Sequence, residues 1–177
     1  MEADEKDVTK AFRQIYLQEI SYVWNCLRRL GVDERDLEDK AHDVFVTFYR
    51  RRDDFDASRP VRPWLSGIAA RVALDHNRLA YKKREVLDER IEAVSSHLDG
   101  DRMTAKFDAQ KLLLTALNGL DSDRRAVFVL HDVEGRSMPE IAEMTDVSVN
   151  TLYSRLRLAR EYMTSTVQRL ASKRSRS

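Results

Sequence analysis

The stretch SMPEIAEMTDVSVNTLYSRLRLAR, Ser137 to Arg160, holds two short apolar periodicities on either side of a polar break. Ser137 with Glu140 three residues on is the capping-box arrangement that starts a helix, and Ile141 and Ala142 mark its inward side. The break at Thr145-Asp146 needs a tight turn, for which aspartate tolerates the left-handed conformation better than most non-glycine residues. Ser148 can cap a second helix. Two helices joined by a turn of three or four residues form the helix-turn-helix plan, whose second helix enters the major groove of DNA.

At 100° per residue, Val149, Leu152, Leu156, Ala159 and Met163 fall on one stripe, the expected core face. Asn150, Ser154 and Arg157 lie opposite, with Tyr153 and Arg160 to one side and Thr151, Arg155 and Leu158 to the other. Hydrogen-bonding groups near the helix start suit base edges and the flanking arginines suit phosphates. From Thr151 to Ser177 seven bases face one acid, so the net charge of +1 over 177 residues conceals a strong local segregation. Phosphate attraction acts over about a Debye length of ~10 Å, and local charge is what counts.

Working outward, Ala109–Leu120 and the piece DSDRRAVFVLHDVEG read as two further helices, the second with Asp121 as N-cap. Upstream, residues 8–30 read as a helix with Phe12, Tyr16, Ile20, Val23, Leu27 and Leu30 inward, stopped by Gly31. Residues 33–50 form a second, and residues 61–84 a third with Leu65, Ile68, Val72 and Leu79 inward. Pro60 and Pro63 suit the entry to that third helix. Between Glu85 and Asp108 seven acids face three bases around a breaker cluster, SSHLDGD, which reads as a linker. With five glycines, three prolines and no convincing strand, the chain is expected to be all-α: two small helical domains, 1–84 and 109–177, joined by an acidic linker at 85–108.

The first domain carries two faces of opposite charge. Asp36, Asp39 and Asp43 recur on one side of the second helix, a surface suited to a basic protein partner. Arg71, Asp75, Arg78 and Lys82 follow a helical spacing on the third, near Trp64 and a loop containing Phe55. A basic face beside aromatic rings suits single-stranded bases; equally, both rings fit a hydrophobic core.

Enzyme chemistry has little footing. The four histidines are scattered, with no HExxH, no Cys/His cluster and no phosphate-binding glycine loop, so no metal, cofactor or catalytic residue is expected. The single cysteine, Cys26, lies in an apolar stripe and is expected to be a buried core thiol in a reducing compartment. No apolar run approaches the ~20 residues that span a bilayer. The acidic start MEADEKDVTK is unlike a secretory signal, so membrane insertion is not expected and a cytoplasmic location is.

In this order the segments resemble the extracytoplasmic-function group of bacterial sigma factors, the promoter-recognition subunits of RNA polymerase. DLEDKAHDVFVTFYRR looks like the core-polymerase-binding helix, and FDASRPVRPWLSGIAARVALDHNR like the element that recognises and opens the −10 region. LDSDRRAVFVLHDVEGRSMPEIAEMTDVSVNTLYSRLRLAR looks like the −35-reading domain. The resemblance implies that Asp36, Asp39 and Asp43 face core polymerase. It places Phe55, Arg62, Trp64, Arg71, Asp75, Arg78 and Lys82 on −10 DNA. At the −35 element it places Asn150, Thr151, Tyr153, Ser154, Arg155, Arg157 and Arg160. Core polymerase, promoter DNA and an anti-sigma protein are the implied partners. The chain departs from the family pattern at His42 (often glutamine), Arg71 (usually asparagine), Asp146 (often glycine) and Leu158 (often arginine). Two other readings of the residues stay open. A stand-alone helix-turn-helix regulator leaves the acidic helix unexplained, and a sigma-like adaptor that binds only an anti-sigma protein leaves the basic faces unexplained.

Overall fold

The computed structural model describes residues 2–86 and 105–174. Within them are seven α-helices and no strand: α1 (Glu2–Arg29), α2 (Leu37–Arg50), α3 (Val61–Val86), α4 (Ala105–Leu117), α5 (Ser122–Phe128), α6 (Met138–Thr145) and α7 (Val149–Arg174). Most of the expected linker, 87–104, lies outside the described residues.

α1, α2 and α3 pack as a three-helix bundle. Val23, Leu27 and Leu30 from α1 and its end meet Val44, Phe45 and Phe48 from α2 and Leu65, Ile68 and Ala69 from α3, all of them buried. Cys26 is fully buried among them, and burial pushes its thiol up to about 12, so no thiolate forms at neutral pH. α1 ends in a Schellman motif: the Val32 N–H donates to Leu27 O (3.1 Å) and the Gly31 N–H to Arg28 O (3.2 Å). Gly31 takes φ 94°, which a side chain would oppose.

Two apolar assignments do not hold. Leu79 is 68% exposed and Tyr16 is 38% exposed. α1 and α3 run in the same direction, with Arg62 beside Glu19 near one end and the Asn77 amide donating to Leu30 O (3.1 Å) at the other. Leu79 therefore lies past the end of α1, where no helix covers it. Tyr16 sets one ring edge against Phe45, 4.7 Å between centroids, and turns the rest outward. α1 also begins earlier than its apolar pattern suggested, at Glu2.

In the second unit α4, α5 and α6 all pack on α7. Leu117, Val127, Leu130, Ile141, Leu152, Leu156 and Ala159 are among its residues of 3% exposure or less. α5 continues through one π-helical turn, Val129–Val133, closed by the Glu134 N–H to Val129 O at 2.9 Å.

The two units also pack on each other. α5 and α6 lie against α3, and the buried residues of both halves form one continuous cluster. The Met144 side chain of α6 lies over Gly67 of α3, 3.5 Å from where a Cβ there would be, an ordinary van der Waals distance.

Candidate nucleic-acid interface

The helix-turn-helix forms as its sequence dictates. The Ser137 N–H and hydroxyl both donate to the Glu140 carboxylate (2.8 and 2.7 Å), and the Ser137 oxygen accepts from the Glu140 N–H, a complete capping box. These bonds hold the Glu140 carboxyl below its ordinary value, the Ser137 hydroxyl contributing most. Asp146 ends α6 at φ 55°, ψ 37°, the left-handed turn anticipated there. The Ser148 hydroxyl accepts from the Thr151 N–H at 3.2 Å and caps α7.

On α7, Leu152, Leu156, Ala159 and Met163 are buried and Val149 half-buried. Asn150, Thr151, Tyr153 and Ser154 are exposed together at the helix start, with Tyr153 57% exposed. A rise of about 1.5 Å per residue puts Arg155 roughly 7 Å and Arg160 roughly 15 Å from Asn150 along the axis. The major groove of DNA is about 12 Å wide; the distance to Arg155 is shorter than that and the distance to Arg160 longer. All three arginines are held by acids of the same unit. Arg155 pairs with Asp123 of α5 at 2.6 Å, and Arg157 with Glu161 at 2.7 Å. Arg160 donates twice to Asp132, at 2.8 and 2.6 Å, and these bonds hold the Asp132 carboxyl below the usual carboxylate range. The face is thus fixed in geometry and partly neutralised.

In the first unit Phe55 is half-buried between Phe48 (5.7 Å) and Trp64 (5.8 Å between centroids). Trp64 is itself half-buried under the Arg51 guanidinium, 5.4 Å above the ring, and its indole N–H has no hydrogen-bond partner. Arg62 is exposed, pairs with Glu19 at 2.8 Å and lies 5.1 Å over the Tyr22 ring. Asp75, Arg78 and Lys82 are exposed along α3. Arg71 is exposed too but engaged: it donates to Met144 O (3.2 Å) and Glu143 O (3.3 Å), the last-turn carbonyls of α6.

The acidic residues divide. Asp39 and Asp43 are exposed on α2, Asp43 paired with Lys40 at 2.6 Å. Asp36 sits one turn earlier, in a short 3-10 segment, and faces His76 of α3 at 3.4 Å. Beside Asp39 a groove of about 280 Å³ runs between α1 and α2, lined by Tyr16, Ile20, Trp24, Glu38 and His42.

Several residues outside the expected set matter most to the contact between units. The Arg125 guanidinium, 7% exposed, donates to Arg29 O (2.6 Å) and Arg28 O (2.9 Å) at the end of α1. Burial lowers it to about 10, which leaves it charged at neutral pH. The Tyr22 hydroxyl donates to Glu134, which also pairs with Arg29 at 3.4 Å. Burial, more than that bond, raises the Tyr22 phenol. Arg136 donates to the Ser66 hydroxyl at 3.1 Å. The one sign of Arg125 in the sequence is its place four residues before Val129, a cation on an apolar stripe. Among the described residues no group of three or more His, Cys, Asp or Glu side chains is arranged to hold a metal ion, and no helix is long and apolar enough to cross a membrane.

Residues 15–84, which span α2 and most of α1 and α3, match the family Sigma-70 region 2. Residues 110–163, with the helix-turn-helix, match Sigma-70, region 4. The chain belongs to the sigma-70 family. The RNA polymerase sigma factor CnrH of Cupriavidus metallidurans is 29% identical over 85% of this chain and 83% of its own. The ECF RNA polymerase sigma-E factor of Escherichia coli is 24% identical over 96% of this chain and 93% of its own. The solved structure of CnrH with the cytosolic domain of CnrY is similar at 26% identity and a TM-score of 0.54, covering 90% of this chain and 89% of that one. The sigma factor RpoE of Bartonella quintana, solved with the anti-sigma factor NepR, shares the fold at 23% identity and a TM-score of 0.65, covering 90% of this sigma-70 chain and 98% of that one.

Proposed function

We propose that this chain acts as an extracytoplasmic-function sigma factor: it binds core RNA polymerase, reads −35 and −10 elements and promotes opening of the DNA. On this reading residues 1–84 bind core polymerase and the −10 element, 85–108 form the linker and 109–177 read the −35 element. The observation that carries it is the pairing, in one chain, of a capped helix-turn-helix whose α7 start exposes Asn150, Thr151, Tyr153 and Ser154 with a separate bundle bearing the Phe55–Trp64 rings. A stand-alone regulator has no use for the second element. Asn150, Thr151, Tyr153 and Ser154 meet base edges at −35, with Arg155, Arg157 and Arg160 at the groove edge and backbone. Phe55, Arg62, Trp64, Arg71, Asp75, Arg78 and Lys82 hold −10 DNA, where Trp64 and its neighbouring cations offer a stacking surface.

Asp39 and Asp43 are the exposed acids for core polymerase, and Asp36 supports them through its contact with His76. The chain supplies recognition, and the polymerase supplies the catalysis. Its place is the cytoplasm, with an anti-sigma protein as a further partner, since the related CnrH is solved with a cytosolic protein domain. The test is transcription by purified bacterial core polymerase on a pooled promoter library, with and without this protein. New, sequence-specific starts are the expected result; tight core binding with no initiation would favour the adaptor reading, and no core binding the stand-alone regulator.

A further inference from the structure

The start of α7 carries side chains that narrow what it can read. In the major groove arginine or lysine pairs with guanine O6 and N7, asparagine with adenine N6 and N7, and an apolar group with the thymine methyl. On α7 every arginine as far as Arg160 is held elsewhere. Arg155 pairs with Asp123 and Arg160 with Asp132, each at 2.6 Å, toward α5 and its π-helical turn. Arg157 shares the outward side with Asn150, but Glu161, one turn further on, holds it at 2.7 Å, away from the helix start. To reach a guanine, Arg157 would leave that carboxylate unpaired on the outward side, where DNA phosphates repel it. Leu158, half-buried, brings no hydrogen-bonding side chain. Four residues are left at the helix start. Asn150, Tyr153 and Ser154 are exposed, and their side chains have no hydrogen-bond partner among the described residues. The Thr151 hydroxyl is joined to the Ser148 hydroxyl at 2.8 Å within the cap, so its methyl is what remains for a base.

We propose that α7 selects an A·T-rich core within the −35 element: an adenine paired with the Asn150 amide, flanked by base pairs whose thymine methyls lie against the Tyr153 ring on one side and the Thr151 methyl on the other. The inference rests on the sigma-factor reading for where this core sits in a promoter, and not for the base chemistry. The Asn150 carboxamide offers a donor and an acceptor side by side, which matches adenine N7 and N6–H. Thr151 and Tyr153 flank Asn150 on opposite sides of the helix, by about 100° and about 60°. Tyr153 is displaced from Asn150 by roughly 4.5 Å along the axis, and stacked base pairs stand about 3.4 Å apart, so the two side chains meet neighbouring pairs. The Ser154 hydroxyl both donates and accepts, and sets no preference. Selection thus comes from one amide and two apolar contacts, while the arginines add affinity through phosphates, which carry no sequence information.

The test enriches duplexes from a pool randomised over the −35 window and ending upstream of −10, once with reconstituted holoenzyme and once with the full-length protein alone. A core of about three A·T pairs is expected. Enrichment of guanine or cytosine at those pairs would overturn the proposal. Two changes then place the contacts. Asn150→Arg is expected to turn the adenine at one position into guanine, with at least about fivefold discrimination; an unchanged adenine there would remove Asn150 from the base. Deoxyuridine in place of a single thymidine removes only the C5 methyl, and at a contacted position should weaken wild-type binding roughly fourfold. Tyr153→Ala should bind the two duplexes equally at one such position and still discriminate at the other. A wild type indifferent to the methyl, or a Tyr153→Ala protein that discriminates as the wild type does, would sink the idea. Both side chains are exposed, so the melting midpoints of the variants should match the wild type. If the chain alone enriches this core while holoenzyme neither binds it nor initiates, the sigma-factor reading fails and the base assignments stand. If neither preparation enriches any sequence, both fall.

Discussion

Arg155 and its partner Asp123 allow the −35 assignment to be tested from both sides. Arg155 sits on α7 within the width of a major groove and is paired with Asp123 at 2.6 Å. Replacing it with alanine removes one cation from the proposed DNA face. Each phosphate contact contributes about 0.9 to the slope of log K against log salt. Between 50 and 200 mM salt the wild type should therefore lose roughly 3.5-fold more affinity than Arg155→Ala. The reciprocal change, Asp123→Asn, removes an acid that a bound phosphate would meet across a single guanidinium, at about 6 Å. Two like charges at that distance in water repel by about 0.7 kcal/mol, so this variant should bind roughly threefold more tightly. The assay is fluorescence anisotropy of reconstituted holoenzyme on a duplex that carries the selected −35 element and ends upstream of −10. Equal loss for Arg155→Ala at every salt concentration, or weaker binding by Asp123→Asn with its thermal stability intact, would refute the placement of Arg155 at the backbone.

Three further outcomes are expected. Gly31→Ala forces a side chain onto φ 94° and against Arg125 and Asn77, which should cost roughly 1–3 kcal/mol. Thermal melting should show it as a fall of about 2–4 °C per kcal/mol, and an unchanged midpoint would contradict the Schellman geometry. Asp39→Lys/Asp43→Lys should weaken co-elution with core polymerase while circular dichroism stays constant, because both side chains are exposed; normal co-elution would remove α2 from the polymerase contact. Ser137→Ala should cost about 1 kcal/mol by removing the α6 cap. Because the fold depresses the Glu140 carboxyl, its contribution is complete above the ordinary value of 4.5 and lost as pH falls through the lower folded value. The variant's stability should then fall less steeply with acid than the wild type's, and parallel acid curves would count against the capping box.

Local chemistry was the legible part of this chain. The Ser137–Glu140 box, the left-handed Asp146, the Ser148 cap and the Leu152–Leu156–Ala159–Met163 stripe are written in residues a few positions apart, and all are present in the structure. The errors came where periodicity continued but the partner helix did not. Leu79 keeps the spacing of an inward residue, yet α1 has ended by Asn77, so the same spacing points into solvent. Asp36 keeps the spacing of Asp39 and Asp43 and still belongs partly to α3, through His76. A wheel reports direction from one axis; it does not report what stands opposite.

The domain contact was illegible for a different reason. Charge patterns on a sequence reveal acids facing bases, and the arginines of α7 follow that rule with Asp123, Glu161 and Asp132. Arg71 and Arg125 instead take backbone carbonyls as partners. Every residue has a carbonyl, so no residue type marks the acceptor. What does mark it is the end of a helix, because only there are carbonyls left without an intrahelical donor. The place where α1 stops was readable from Gly31, and the place where α6 stops from Asp146. The cations that fill those ends lie 75 or more residues away in the chain, 31 against 125 and 146 against 71. Acceptor sites of this kind can be located from sequence, whereas their donors emerge only once the two domains are packed together.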